Sequence, residues 1–104
     1  MTNRPQERRI TLKHFIIVKF KEEINAGSLT APVTELFQRL TAMDGIYDIK
    51  LHTSCIDRPN RYDLMIEINM DKAALDRYDS SEVHKEWKRT YSDMIESKAI
   101  FDCE

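Results

Sequence analysis

Residues 10 to 20, Ile-Thr-Leu-Lys-His-Phe-Ile-Ile-Val-Lys-Phe, constrain the fold more than any other stretch. The segment is rich in β-branched and aromatic residues. Splitting it by parity places Leu12, His14, Ile16, Val18 and Phe20 on one face and Lys13, Phe15, Ile17 and Lys19 on the other. The first face is the more apolar, yet the second is not polar in its middle. A strand with two apolar faces belongs in the interior of a sheet and needs cover on both sides.

The rest of the chain supplies the partners. Lys21 to Ser28 is a charged connection. A helix is expected to follow, with Thr30 as its cap, Pro32 in the first turn and Val33, Leu36, Phe37, Leu40 and Met43 at helical spacing. Asp44-Gly45 stops that helix. Ile46 to Cys55 alternates, with Tyr47, Ile49, Leu51 and Thr53 on one face and Asp48, Lys50 and His52 on the other. Asp57-Arg58-Pro59-Asn60 turns the chain into a second alternating strand, Tyr62 to Met70, whose minor face adds only Met65 to the apolar set. Asp71 is read as the cap of a short helix to about Tyr78. Asp79-Ser80-Ser81 breaks it, Ser81 caps a longer helix to about Ser97, and Lys98 to Cys103 closes as a strand.

The order strand, helix, strand, strand, helix pair, strand is a split β-α-β arrangement. It predicts an α+β domain: a ferredoxin-like four-stranded antiparallel sheet with helices on one face and the first and third strands central. Those strands carry Phe15, Ile17 and Met65 on the face without helices, so a homodimer joined sheet to sheet is expected, with these three residues in its interface.

One domain accounts for 104 residues, with residues 1 to 9 as a flexible basic arm and 10 to 104 as the folded unit. Only two glycines and three prolines imply short connections. A net charge of -2 argues against nucleic acid as a partner, and the longest apolar run, Phe15 to Val18, is far too short to span a bilayer. No secretory signal is read, so Cys55 and Cys103 are expected to be free thiols in a cytoplasmic protein.

Candidate chemistry lies between Tyr78 and Trp87. An acid/base-capable tyrosine and histidine stand six residues apart across the helix break. A helix from Ser81 places His84, Trp87, Tyr91 and Ile95 on one inward stripe. His84 is then either a core histidine that only packs or a general base tuned by burial. A ligand pocket is expected to be lined by His14, Ile16, Val18, Phe37, Leu40, Tyr78, His84 and Trp87; the alternative is that this space is filled core. No metal or other cofactor is expected, because His84-Lys85-Glu86 is not a two-histidine zinc motif and the cysteines lack ligand spacing.

The pattern resembles the stress-responsive A/B barrel (Dabb) family of the dimeric α+β barrel superfamily. The resemblance is carried by Lys13-His14-Phe15-Ile16-Ile17-Val18-Lys19-Phe20-Lys21, Asp44-Gly45-Ile46, Tyr62-Asp63-Leu64, the run from Ala74-Leu75 through Tyr78 to His84, and Phe101-Asp102. It covers about residues 12 to 103. The resemblance implies a dimeric barrel. It also implies one of two functions, a non-catalytic stress protein acting through homo-oligomeric assembly or a small cofactor-free enzyme or binder. One plant member, olivetolic acid cyclase, closes a polyketide ring, and its catalytic pair matches Tyr78 and His84, with His84 as general base and His14 as a pocket-lining histidine. A small apolar carbonyl compound is the implied ligand. Ser81-Glu82 stands where the family usually has His-Pro and Asp63 where the cyclase has a third-strand histidine, and this altered polar lining means the cyclase's own substrate is not expected. A third option implied by the superfamily is a haem-linked or quinone-forming monooxygenase, for which His14 and His84 are the only residues resembling ligands.

Overall fold

The computed structural model describes residues 10 to 104; the expected N-terminal arm lies outside the described residues. Strand β1 spans Thr11–Phe20, helix α1 Thr30–Gln38, β2 Ile46–Thr53, β3 Leu64–Asp71, α2 Leu75–Asp79, α3 Glu82–Tyr91 and β4 Ile95–Cys103, with single 3₁₀ turns flanking the helices. The four strands form one antiparallel sheet in the order β2-β3-β1-β4, so β1 and β3 are central as their two-faced composition requires. All helices lie on one face. Val33, Leu36, Phe37 and Leu40 from the first helical segment and Val83, Trp87 and Tyr91 from α3 bury against Leu12, Ile16, Val18 and Phe20 of β1 and Leu64, Ile66, Ile68 and Met70 of β3.

Several local expectations give way to tertiary pairing. Thr30 is already helical; the cap stands earlier, where the Asn25 side chain accepts from the Gly27 N–H and starts a 3₁₀ turn, Ala26–Leu29, that runs into α1. In β2 the alternation breaks at a bulge between Ile46 and Asp48. Ile46 therefore turns inward, and Tyr47 turns out to donate to the Asp71 carboxylate at 2.7 Å. β3 begins at Leu64, leaving Tyr62 exposed before it. Asp71 occupies the cap position of the turn after β3, but its side chain makes no capping bond. The last helix ends at Tyr91 rather than near Ser97, because Ile95 pairs with Phe20 and the Lys21 N–H donates to the Met94 carbonyl at 2.8 Å. Ile95 thus belongs to the sheet and not to the helical stripe. Ser81 does cap α3, its hydroxyl accepting from the His84 N–H at 3.1 Å.

The turn that ends the first helical segment rests on Gly45 at φ +90, whose carbonyl accepts from the Asp71 N–H at 2.7 Å. A Cβ there would stand 3.1 Å from the Ala74 methyl and 3.0 Å from Arg77 Nη2, the group that donates to the Asp44 carbonyl. Gly45→Ala is accordingly expected to cost about 1–2 kcal/mol through the left-handed backbone, with further loss from the crowded Ala74 contact. Thermal unfolding followed by circular dichroism measures it.

The face without helices carries Phe15 and Ile17 on β1, with Glu67 and Met65 opposite them on β3 and Phe101 and Ala99 opposite them on β4. Phe15, Ile17 and Met65 are half-buried within the sheet. Phe101, at 58% exposure, adds a large ring beside Phe15, with ring centroids 6.3 Å apart. Glu67 is covered by its strand neighbours, although no helix lies over it. Its carboxylate accepts from Asn69 Nδ2 at 3.0 Å and contacts His52 Nε2 at 3.1 Å. These hydrogen bonds, the Asn69 one first, hold its pKa below the ordinary carboxylate value, aided by the nearby Lys50 charge and opposed by desolvation. His52, half exposed, is therefore tied into the sheet face rather than loose in solvent.

Candidate functional site

The helix break between Asp79 and Ser81 sets the site's geometry. α2 ends with Tyr78 one residue before its terminus, and the Ser81 cap starts α3 so that His84 falls in its first turn. Tyr78 and His84 meet as an edge-to-face pair with ring centroids 4.9 Å apart. On its other side Tyr78 meets His14 of β1 at 5.4 Å. One phenol is thus wedged between two imidazoles.

These three rings line a cavity of about 280 Å³ between α2, α3 and the β1–β4 half of the sheet. Ile16, Leu75, Trp87 and Ile100 supply its apolar wall, and Asp79, Lys98 and Asp102 its charged groups. The volume lies just under the roughly 300–1,000 Å³ of sites for drug-sized ligands, which suits a small substrate. Of the residues expected to line one pocket, His14, Ile16, Tyr78, His84 and Trp87 do so. Val18, Phe37 and Leu40 do not: all three are fully buried core. Trp87 marks the limit of the cavity, packing against Phe37 with ring centroids 5.2 Å apart. Larger recesses of about 350 and 480 Å³ lie at the loop end of the sheet, sharing Lys19, Asp57, Arg58 and Asp63. They lie where strand ends meet the connecting loops and contain no histidine, so they lack the acid/base pairing of the smaller cavity.

The site's electrostatics separate its titratable groups. Tyr78 is 1% exposed, and its hydroxyl has no hydrogen-bond partner among the described residues. Desolvation, reinforced by the Asp79 charge, pushes the phenol far above its ordinary pKa, so it stays a protonated donor. Desolvation lowers the pKa of His84. A backbone hydrogen bond with Asp79 and the Asp79 charge oppose that shift, while Lys88 and Lys98 add to it. His84 is therefore neutral at pH 7 and available as a base. His14, only 6% exposed, has its Nδ1 2.5 Å from the Asp102 carboxylate, which fixes the ring's orientation.

Nothing in the local sequence pattern marks Asp79, Lys98 or Asp102 as site residues. Lys98 and Asp102 share a parity in the last strand, but only its pairing with β1 turns that parity towards the cavity: Lys98 stands opposite Val18, Ile100 opposite Ile16 and Asp102 opposite His14. The same pairing places Phe101 and Ala99 on the open face.

No protein-family model matches the sequence, and no curated protein matches it. Solved structures do. A dimeric protein of unknown function and ferredoxin-like fold from Bacteroides fragilis superposes with a TM-score of 0.75 at 16% identity, covering 90% of this chain and 95% of the other. A Dabb family protein with a ferredoxin-like fold from Mesorhizobium loti gives 0.69 at 16% identity, covering 90% and 95%. This chain has the Dabb-like fold. Another protein of similar structure, at a TM-score of 0.72 and 12% identity over 91% of this chain and 93% of its own, is the hydroxynitrile lyase of Passiflora edulis. In the Dabb-like fold the cavity described above lies between the sheet and the helices, on the side opposite the exposed apolar face. Among the described residues no helix is long and apolar enough to cross a membrane.

Proposed function

We propose that this chain is a small-molecule enzyme of the Dabb-like fold that moves a proton at a carbon next to a carbonyl, using the Tyr78–His84 pair. The observation that carries this reading is a buried phenol hydroxyl with no partner among the described residues, set edge-on against an imidazole that desolvation keeps neutral. An unsatisfied buried hydroxyl costs stability unless a ligand completes it, and a carbonyl oxygen is the complementary acceptor.

In the proposed step a nitrogen of His84 takes the proton. The C–H electron pair becomes the C=C bond of the enolate, and the carbonyl π pair moves onto oxygen, where the Tyr78 hydroxyl stabilises it by hydrogen bonding. Reprotonation at carbon returns the proton from the imidazolium. Nothing is oxidised or reduced, so the chemistry calls for no redox cofactor. The lyase of Passiflora edulis supports the view that this architecture can carry small-molecule chemistry. Ring closure of a polyketide-like carbonyl compound is one use of the same enolate. The two free cysteines are consistent with work in the reducing cytoplasm.

The test is hydrogen–deuterium exchange at carbons beside the carbonyl, read by proton NMR over a panel of small carbonyl compounds as a function of pH. His84 must be neutral, and its pKa lies below 6.5, so exchange is expected to fall as pH drops through that lowered value and to hold level from neutrality upward. Tyr78 imposes no loss below pH 10, because its pKa is raised above the ordinary phenol value. Absence of exchange with every compound at every pH overturns the enzymatic reading.

A second reading concerns assembly and rests on the open face. Phe15, Ile17, Met65 and Phe101 form a contiguous apolar patch across β3, β1 and β4, and we propose that a second copy of the chain covers it, sheet to sheet. The Bacteroides fragilis structure of the same fold is described as dimeric, which supports this arrangement. If the cavity proves catalytically silent, homo-oligomeric assembly is the function that remains.

A further inference from the structure

We propose that the cavity is built for a short oxo-carboxylate, with the substrate's carboxylate paired to Lys98 while its carbonyl oxygen lies against Tyr78 and its reacting carbon faces His84. The inference rests on the enolising role proposed for Tyr78 and His84 and assigns that role a substrate class.

Among the described residues, Lys98 is the only lysine or arginine in the cavity's lining. It stands on β4 opposite Val18, two positions from Ile100 and four from Asp102, on the strand face that looks towards the helices. Lys50, Lys72, Lys85 and Arg39 all lie within 4.0 Å of a carboxylate, whereas Lys98 has no such partner among the described residues. Of the two carboxylates that line the cavity among the described residues, Asp102 is the one with a side-chain partner. Asp102 is 2.5 Å from His14 Nδ1, and Asp79 terminates α2, where its charge acts on Tyr78 and His84. Lys98 also acts electrostatically on His84, so the cation and the base share one cavity.

The chemistry gives that cation a purpose. Removing a proton beside a carbonyl creates an oxyanion, and in a substrate already carrying a carboxylate the new charge would form only a few ångströms from the old one. A lysine paired with the carboxylate cancels the first charge before the second develops. One ammonium group with no arginine beside it among the described residues suits a single carboxylate better than a phosphate, whose oxygens are commonly met by several donors. The small volume limits the substrate to a short chain.

The experiment uses pyruvate, 2-oxobutanoate, acetoacetate and levulinate, each beside its methyl ester, with binding followed by NMR titration and exchange followed in D₂O. For at least one acid, the wild type is expected to bind the acid about ten-fold more tightly than its ester, the size of one hydrogen bond to a charged group. Lys98→Met should abolish that preference, Lys98→Arg should retain part of it, and added salt should weaken it. Lys98 is exposed, so neither variant removes core packing. If no acid is preferred over its ester, or if the preference survives in Lys98→Met, the proposal is overturned. Lys98-dependent binding of an acid without exchange upholds the substrate class and refutes the acid–base role. Equal exchange of acid and ester that still requires His84 does the reverse.

Discussion

Replacing His84 by glutamine is expected to slow the proposed exchange reaction by about 10²- to 10⁴-fold, the usual contribution of a positioned general base. Glutamine retains a polar group of similar reach but cannot accept a proton near neutral pH. The fold should survive, because His84 is only partly buried and its backbone N–H, not its ring, holds the Ser81 cap. Tyr78→Phe provides the companion result and a sharper one. It removes the donor aimed at the oxyanion, so turnover should again fall by orders of magnitude, yet it also removes a buried hydroxyl that has no partner among the described residues. Deleting an unsatisfied polar atom while keeping the ring is neutral to stabilising. The thermal midpoint of Tyr78→Phe should therefore equal or exceed that of the wild type while activity collapses. A variant that instead unfolds, or that keeps full activity, would show Tyr78 to be a packing residue.

Charge placed in the open face should have the other large effect. Ile17 lies at the centre of that face, opposite Met65 on one side and Ala99 on the other, and two positions along the strand from the Phe15–Phe101 pair. Covering these side chains contributes roughly 1.5–3 kcal/mol for each one fully buried, before the cost of association. Ile17→Asp removes one such contribution and brings an unpaired carboxylate to a surface where Glu67 already sits. Sedimentation should show a dimer for the wild type at micromolar concentration and a monomer for the variant. Circular dichroism should be unchanged, because Ile17 is on the face away from the core. A monomeric wild type would refute the proposed dimer at once.

Local pattern carried most of the architecture. The two-faced alternation of residues 11 to 20 made β1 central, the spacing of Val33, Leu36, Phe37 and Leu40 marked the first helix, Gly45 marked its stop, and Ser81 marked the start of α3. These features are legible because strand parity, helical period and cap chemistry depend on residues a few positions apart. For the same reason Tyr78 and His84 could be singled out, since one helix break relates them.

What sequence could not decide was register. The bulge at Tyr47, the early end of α3 and the capture of Ile95 by β4 all arise from hydrogen bonds between segments distant in the chain, which override the local period. Register also turned Lys98 and Asp102 towards His14 and the cavity while sending Phe101 to the opposite face. A slip of one residue would have exchanged those roles, because alternate side chains point to opposite sides of a sheet. The identities of the rings in the site were thus present in the sequence. Their separation from Val18, Phe37 and Leu40, and the charges placed around them, were settled by long-range strand pairing and by the close packing of Trp87 on Phe37.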